Sequence, residues 1–145
     1  MASQIHGTCV DLDGTGVLLR GPSGSGKSDL ALRLVDRGAR LVADDRVVIT
    51  AAGDGVMASA PPRLAGLLEV RGLGIVRLPS VERSRIGLVV DLAGPGAGER
   101  LPESASCEVL GVRLRNLRLD PFAVSTVAKL RLAVETLKHD ILVEP

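Results

Sequence analysis

Eight consecutive residues, Gly21-Pro22-Ser23-Gly24-Ser25-Gly26-Lys27-Ser28, satisfy the pattern G-x-x-x-x-G-K-[ST] at every fixed position. The small residues let successive backbone N–H groups curl around phosphate oxygens. Lys27 supplies a point charge for the β- and γ-phosphates, and the Ser28 hydroxyl is a ligand for Mg2+. A helix opening directly after the loop adds its positive end to the same anion site. These residues predict binding of a nucleoside triphosphate.

Three further sites carry chemical groups. Asp44-Asp45 closes the short apolar run Arg40–Ala43. If the strand continues, the two carboxylates point to opposite faces, so one can turn toward Mg2+ or its water and the other toward a substrate hydroxyl. The plainer reading is a charged turn into Arg46–Thr50. Leu67–Val76 holds Glu69, Arg71, Gly72 and Gly74 in an otherwise apolar run. It reads as a strand with a glycine bulge, or, more sharply, as a functional loop that sets Glu69 beside the metal and Arg71 beside a phosphate. His6 would face the phosphates if its strand stacks beside the P-loop strand, although a lone histidine is weak evidence.

The elements that must position these groups follow from apolar spacing. Gly16–Arg20 is a short strand entering the loop; Leu30, Ala31, Leu34 and Val35 recur at helical spacing, with Gly38 where a helix stops. Ile5–Leu12 alternates as a strand and turns back through Asp13–Gly16 as a hairpin. A second hairpin turns at Ala51–Gly55, its strand ending at Pro61-Pro62. Arg85–Leu92 is a buried-type strand, 93–106 a mobile surface loop, and Val109–Leu119 a strand with a phase change near Asn116. Asp120-Pro121 reads as N-cap and first helical residue of a last helix. Its stripe of Ala123, Val127, Leu130, Val134, Leu137 and Ile141 reads as core packing or a subunit interface.

A chain of 145 residues, 46% hydrophobic and 24% charged, suits one α/β domain spanning residues 1–145. Its formal charge of +1, without runs of like charge, gives no sign of a nucleic-acid or membrane-surface partner. Phe122 is its one aromatic residue. No Tyr or Trp is present to stack on adenine, so base preference is not legible. Cys9 and Cys107 stand alone, which suits a reducing compartment and thiols packed as small hydrophobes. With no signal peptide and no long apolar run, the expectation is a soluble, cytoplasmic protein.

His6-Gly7, the P-loop, Arg37-Gly38, Leu41-Val42-Ala43-Asp44-Asp45, Pro61-Pro62 and Glu69-Val70-Arg71-Gly72-Leu73-Gly74-Ile75, in that order, resemble the bacterial HPr kinase/phosphorylase family. The resemblance spans roughly residues 4 to 78 and thins after Ile75. It implies a P-loop domain of the phosphoenolpyruvate-carboxykinase-like type, a mixed sheet with hairpins. It further implies ATP- and Mg2+-dependent phosphorylation of a serine on HPr, the phosphocarrier of the sugar phosphotransferase system. Carried over by position, Asp45 resembles the family's general base, Glu69 its second magnesium ligand, His6 the histidine that positions or tunes the base, and Arg100 its phosphate-contacting arginine. The family's hexameric habit implies a homo-oligomer. The chain is similar to a short, catalytic-domain-only form without the family's N-terminal domain. Where the family carries a P-G-R-N-like segment tied to dephosphorylation, Leu119–Thr126 stands here, which speaks against phosphorylase activity. Two alternatives stay open: a P-loop kinase of another protein or small molecule, and a nucleotide-binding regulatory module without turnover. The absence of an N-K-x-D motif argues against a signalling GTPase.

Overall fold

The computed structural model describes residues 2–95 and 105–139. Through the first of these segments run strands β1 (Ala2–His6), β2 (Thr8–Leu12) and β3 (Thr15–Arg20), helix α1 (Lys27–Asp36), then β4 (Arg40–Ala43), β5 (Arg46–Ala52), β6 (Gly55–Ser59), β7 (Leu67–Val70), β8 (Gly74–Arg77) and β9 (Arg83–Leu92). The second carries β10 (Ser106–Val109), β11 (Val112–Leu119) and helix α2 (Thr126–Lys138).

Two antiparallel ribbons, each kinked once and at the same level, organise the sheet. The first is β1 and β2, broken at Gly7; the second is β4 and β5, broken at Asp44-Asp45. β1 pairs with β5 through His6↔Arg46 and Ile5↔Val47, whereas β2 pairs with β4 through Cys9↔Ala43. Across the gap the Gly7 N–H donates to the Asp45 carbonyl at 3.2 Å. A Cβ on Gly7 would stand 3.0 Å from the Leu19 carbonyl oxygen, so the kink is packed too closely for an ordinary side chain to enter freely. The strand expected over Ile5–Leu12 is therefore two strands.

The path through the sheet is β1-β5-β6-β9-β3-β2-β4. Because β1 runs into β2 and β4 into β5, the sheet curls back on itself. The P-loop strand β3 lies between β2, antiparallel, and β9, parallel, and β11 runs parallel to β9. Strand alternation then divides the core. Val17 and Leu19 of β3 face Leu30 and Leu34 of α1 and Leu130 and Val134 of α2, while Leu18 faces the interior of the curl with Cys9, Val42, Ile49 and Val89. Each such side chain contributes about 1.5–3 kcal/mol by leaving water. Leu30 and Leu34 thus hold the start of α1 to the end of β3. The helix stops where Gly38, at φ +104°, lets its N–H reach the Val35 carbonyl and the Ala39 N–H reach that of Leu34, both at 3.0 Å.

Three other expectations change. Leu67–Val76 is a separate two-stranded hairpin, β7 and β8, and not one bulged strand: Gly72 and Gly74 take φ +81° and +122°, and the Leu73 N–H closes the turn on the Val70 carbonyl at 3.0 Å. Val109–Leu119 contains a hairpin turn at Leu110-Gly111 between β10 and β11, both residues at positive φ. α2 begins at Thr126 behind Ser125, because the Asp120 side chain accepts the Phe122 N–H at 2.9 Å and closes a turn of its own. Ala123 therefore precedes the helix, Leu137 is exposed, and the buried stripe is Thr126, Leu130 and Val134. Ile141 and most of the 93–106 loop lie outside the described residues. Among the described residues no helix is long and apolar enough to cross a membrane.

Candidate active site

The loop Gly21–Gly26 joins the end of β3 to the start of α1. Gly24 and Gly26 sit at φ +81° and +98°, backbone conformations that side chains resist. Lys27 is buried, and its Nζ donates to the carbonyls of Gly21 at 2.6 Å and Pro22 at 2.9 Å. Burial pushes its pKa down, and the negative charges of Asp44 and Asp45 oppose that shift without cancelling it. The ammonium is thus held at the mouth of the loop.

Asp44 is the buried member of the acidic pair. Its Oδ1 accepts two hydroxyl protons, from Ser28 Oγ at 2.8 Å and from Thr8 Oγ1 at 2.9 Å. A carboxylate withdrawn from water needs such donors, and these two fix it against the first turn of α1. Asp45 goes the other way. Its φ is +67°, and the Arg46 N–H donates across it to the Asp44 carbonyl at 2.8 Å, a three-residue turn that aspartate tolerates better than most side chains. The two carboxylates do diverge, yet the cause is this turn and not the alternation of a continuing strand. The exposed Asp45 carboxylate lies 3.5 Å from His6 Nδ1, a contact set by the His6↔Arg46 register. Strained backbone held by its surroundings is a recurrent feature of functional sites.

The structure thus brings together His6, Lys27, Ser28, Asp44 and Asp45. Thr8 was not legible as a partner, and Asp44 entered only as half of an undivided pair; the doublet itself was the available signal. Glu69 lies on β7 and Arg71 at the tip of its hairpin, both exposed. Among the described residues no three acidic, histidine or cysteine groups gather as a metal cluster. The hairpin is anchored by Leu68, buried with Leu30 and Leu34, while Leu73 and Ile75 at its tip are 75% and 72% exposed. Arg100 lies outside the described residues.

A second constellation braces the loop from behind. Arg20, the last residue of β3, donates from Nε and Nη2 to the two oxygens of Asp91 at 2.8 and 3.1 Å, and Asn116 donates to the same carboxylate at 3.0 Å. Burial pushes Asp91 up, but the bonds from Arg20 and Asn116 outweigh it, and the carboxyl sits below its ordinary range. Cys9 is fully buried, which pushes its thiol well up and leaves it inert.

Comparison with known proteins adds the family context. The family described as HPr Serine kinase C-terminal domain matches residues 1–128. An HPr kinase/phosphorylase of Burkholderia lata is 40% identical over 139 residues, covering 88% of this chain and 43% of that protein. One from a Geobacillus species is 49% identical over 98 residues, covering 62% of this chain and 32% of the relative. The chain thus spans less than half the length of these relatives. A solved structure of the Hpr(Ser) kinase/phosphatase from Coxiella burnetii matches with a TM-score of 0.78 over 94% of this chain and 97% of that one, at 24% identity, which shows the shared mixed α/β fold.

Proposed function

The chain belongs to the HPr serine kinase C-terminal domain family, and from that premise we propose that it binds ATP at Gly21–Ser28 and phosphorylates a serine on an HPr-type phosphocarrier. The observation that carries the reading is the division of labour at Asp44-Asp45: one carboxylate is bonded to the P-loop serine, and its neighbour is turned outward beside His6.

The oxygens of Ser28 and Asp44 suit Mg2+, which favours hard oxygen donors and takes one or two carboxylates together with substrate phosphates. By its position in the family pattern, Glu69 would supply a second ligand to the ion. When bound, the ion neutralises charge on the phosphates. Lys27 exchanges its bonds to the Gly21 and Pro22 carbonyls for phosphate oxygens and orients the terminal phosphoryl group. Asp45 accepts the proton of the attacking serine hydroxyl. Carboxylates are weak bases toward an alcohol, so this help comes late, as the bond to phosphorus forms and the hydroxyl acidifies. His6 holds Asp45 in place, and Arg71 with Arg100 contact phosphate. Catalysis is then positioning and charge stabilisation, with no covalent enzyme intermediate. The same reading takes the protein as a cytoplasmic homo-oligomer working in the kinase direction.

The test is incubation with γ-labelled ATP, Mg2+ and HPr beside an HPr whose target serine is alanine. Label on the first alone is the expected result. Label on neither, with ATP binding intact, would overturn the reading in favour of a small-molecule kinase or a regulatory module.

A further inference from the structure

Phe122 is the one aromatic residue in the chain, and it is 66% exposed. It is not loose. Its ring stands against the P-loop: a Cβ added to Gly26 would lie 2.9 Å from the ring's Cζ and 3.1 Å from Cε1, with the Pro121 Cβ at 3.3 Å. Gly26 is therefore required both by its φ of +98° and by the ring beside it.

The turn that carries the ring is tied to the helix that carries the phosphate loop. The Phe122 N–H donates to Asp120 Oδ1 at 2.9 Å, the Thr126 hydroxyl donates to the Asp120 carbonyl, and the Arg33 guanidinium of α1 donates to the Pro121 carbonyl. Arg33 is itself held by Asp29, one helical turn earlier, at 3.1 Å. An apolar ring kept in water yet fixed in place is poised for a flat partner, since aromatic faces stack with offset geometry on other π-systems.

We propose that Phe122 is the platform on which the nucleotide base stacks. This rests on the reading of Gly21–Ser28 as the ATP phosphate site. A nucleotide anchored there carries its sugar and base outward past the start of α1, where Phe122 offers the chain's one aromatic face. Stacking tolerates any base, because every base has a π-face. The site is accordingly a purine shelf with little discrimination between adenine and guanine.

The test compares binding of MgATP and of inorganic tripolyphosphate, which has no base, to the full chain by calorimetry. Phe122→Ala is expected to weaken MgATP by about 10-fold while leaving tripolyphosphate within about twofold of wild type. Phe122→Trp is expected to retain MgATP affinity. Because the chain has no other tryptophan, its fluorescence would respond to MgATP and not to tripolyphosphate. Equal losses for both ligands would overturn the proposal in favour of a structural role at Gly26. Unchanged MgATP affinity with a raised KM for HPr would overturn it in favour of a protein-docking surface that also includes the exposed Val124. Failure of wild type to bind either ligand would remove the phosphate site itself, and the base platform with it.

Discussion

The corner made by Thr8, Ser28 and Asp44 is closed, whereas the β7–β8 hairpin is open. In the corner a buried carboxylate oxygen receives two hydroxyl bonds at 2.8 and 2.9 Å, and the strands that supply Thr8 and Asp44 are paired on both sides of their kinks. Removing either donor leaves a withdrawn charge short of a partner, so the geometry is over-determined. In the hairpin Leu68 is buried and Val70 and Val76 pack on the same core in part, while Leu73 and Ile75 meet water. The contrast teaches where precision is needed. The corner is fixed by packing and hydrogen bonds, whereas the tip of the hairpin is the less restrained of the two.

The comparison breaks or holds first on the metal. Asp44→Asn keeps the shape of the corner and removes its charge, and is expected to raise the Mg2+ concentration needed for half-maximal activity by about 10- to 100-fold. Glu69→Gln, on the open hairpin, is expected to raise it by less than about 10-fold, because its position is less fixed. A larger effect at Glu69 would mean that the hairpin closes over the corner and that the two regions act as one.

Arg71→Ala probes the open side alone. It is expected to weaken substrate binding about threefold to tenfold, as loss of one charge-assisted contact does, while stability stays within about 0.5 kcal/mol of wild type. Chemical denaturation beside steady-state kinetics separates the two.

The smallest effect lies behind the loop, at Asp91. Its carboxyl is depressed in the fold, so the stability it contributes is present above the ordinary carboxylate range near pH 4 and is lost as pH falls through the lower folded value. Arg20 and Asp91 are both more than a third exposed, which limits the contribution to about 1 kcal/mol or less. In Asp91→Asn that acid-side decline should vanish from a plot of stability against pH. An unchanged decline would mean that other carboxylates account for it.

Much of the site was legible because it is written in contiguous residues. The P-loop pattern fixes strand, loop and helix within one stretch, and the acidic doublet marks its partner. The kinks were not legible, since nothing local says that Gly7 must break a strand opposite Asp44-Asp45; the break is shared by two strands paired far apart in sequence, a tertiary event. Register then places His6 beside Asp45, and Thr8 comes within hydrogen-bonding distance of Asp44. Asp120-Pro121 carries the signature of a helix start, yet the Asp120 carboxylate is spent on the Phe122 N–H and the helix opens later, behind Ser125. The same displacement leaves Phe122 on a turn beside Gly26, a placement that no spacing rule anticipates. For Leu67–Val76, the two glycines could mark a bulge or a hairpin, and the pairing of Glu69 with Ile75 decides for the hairpin.

The central claim is that the outward-turned Asp45 takes the proton while the inward-turned Asp44 and the P-loop hold the nucleotide. It is tested most directly by Asp45→Asn, with phosphoryl transfer to HPr and MgATP affinity measured on the same preparation. The account predicts at least a 100-fold or so loss of transfer, the range for removal of a general base, with MgATP affinity within about twofold of wild type. Near-normal transfer would contradict it, and so would a loss of transfer explained wholly by lost nucleotide binding.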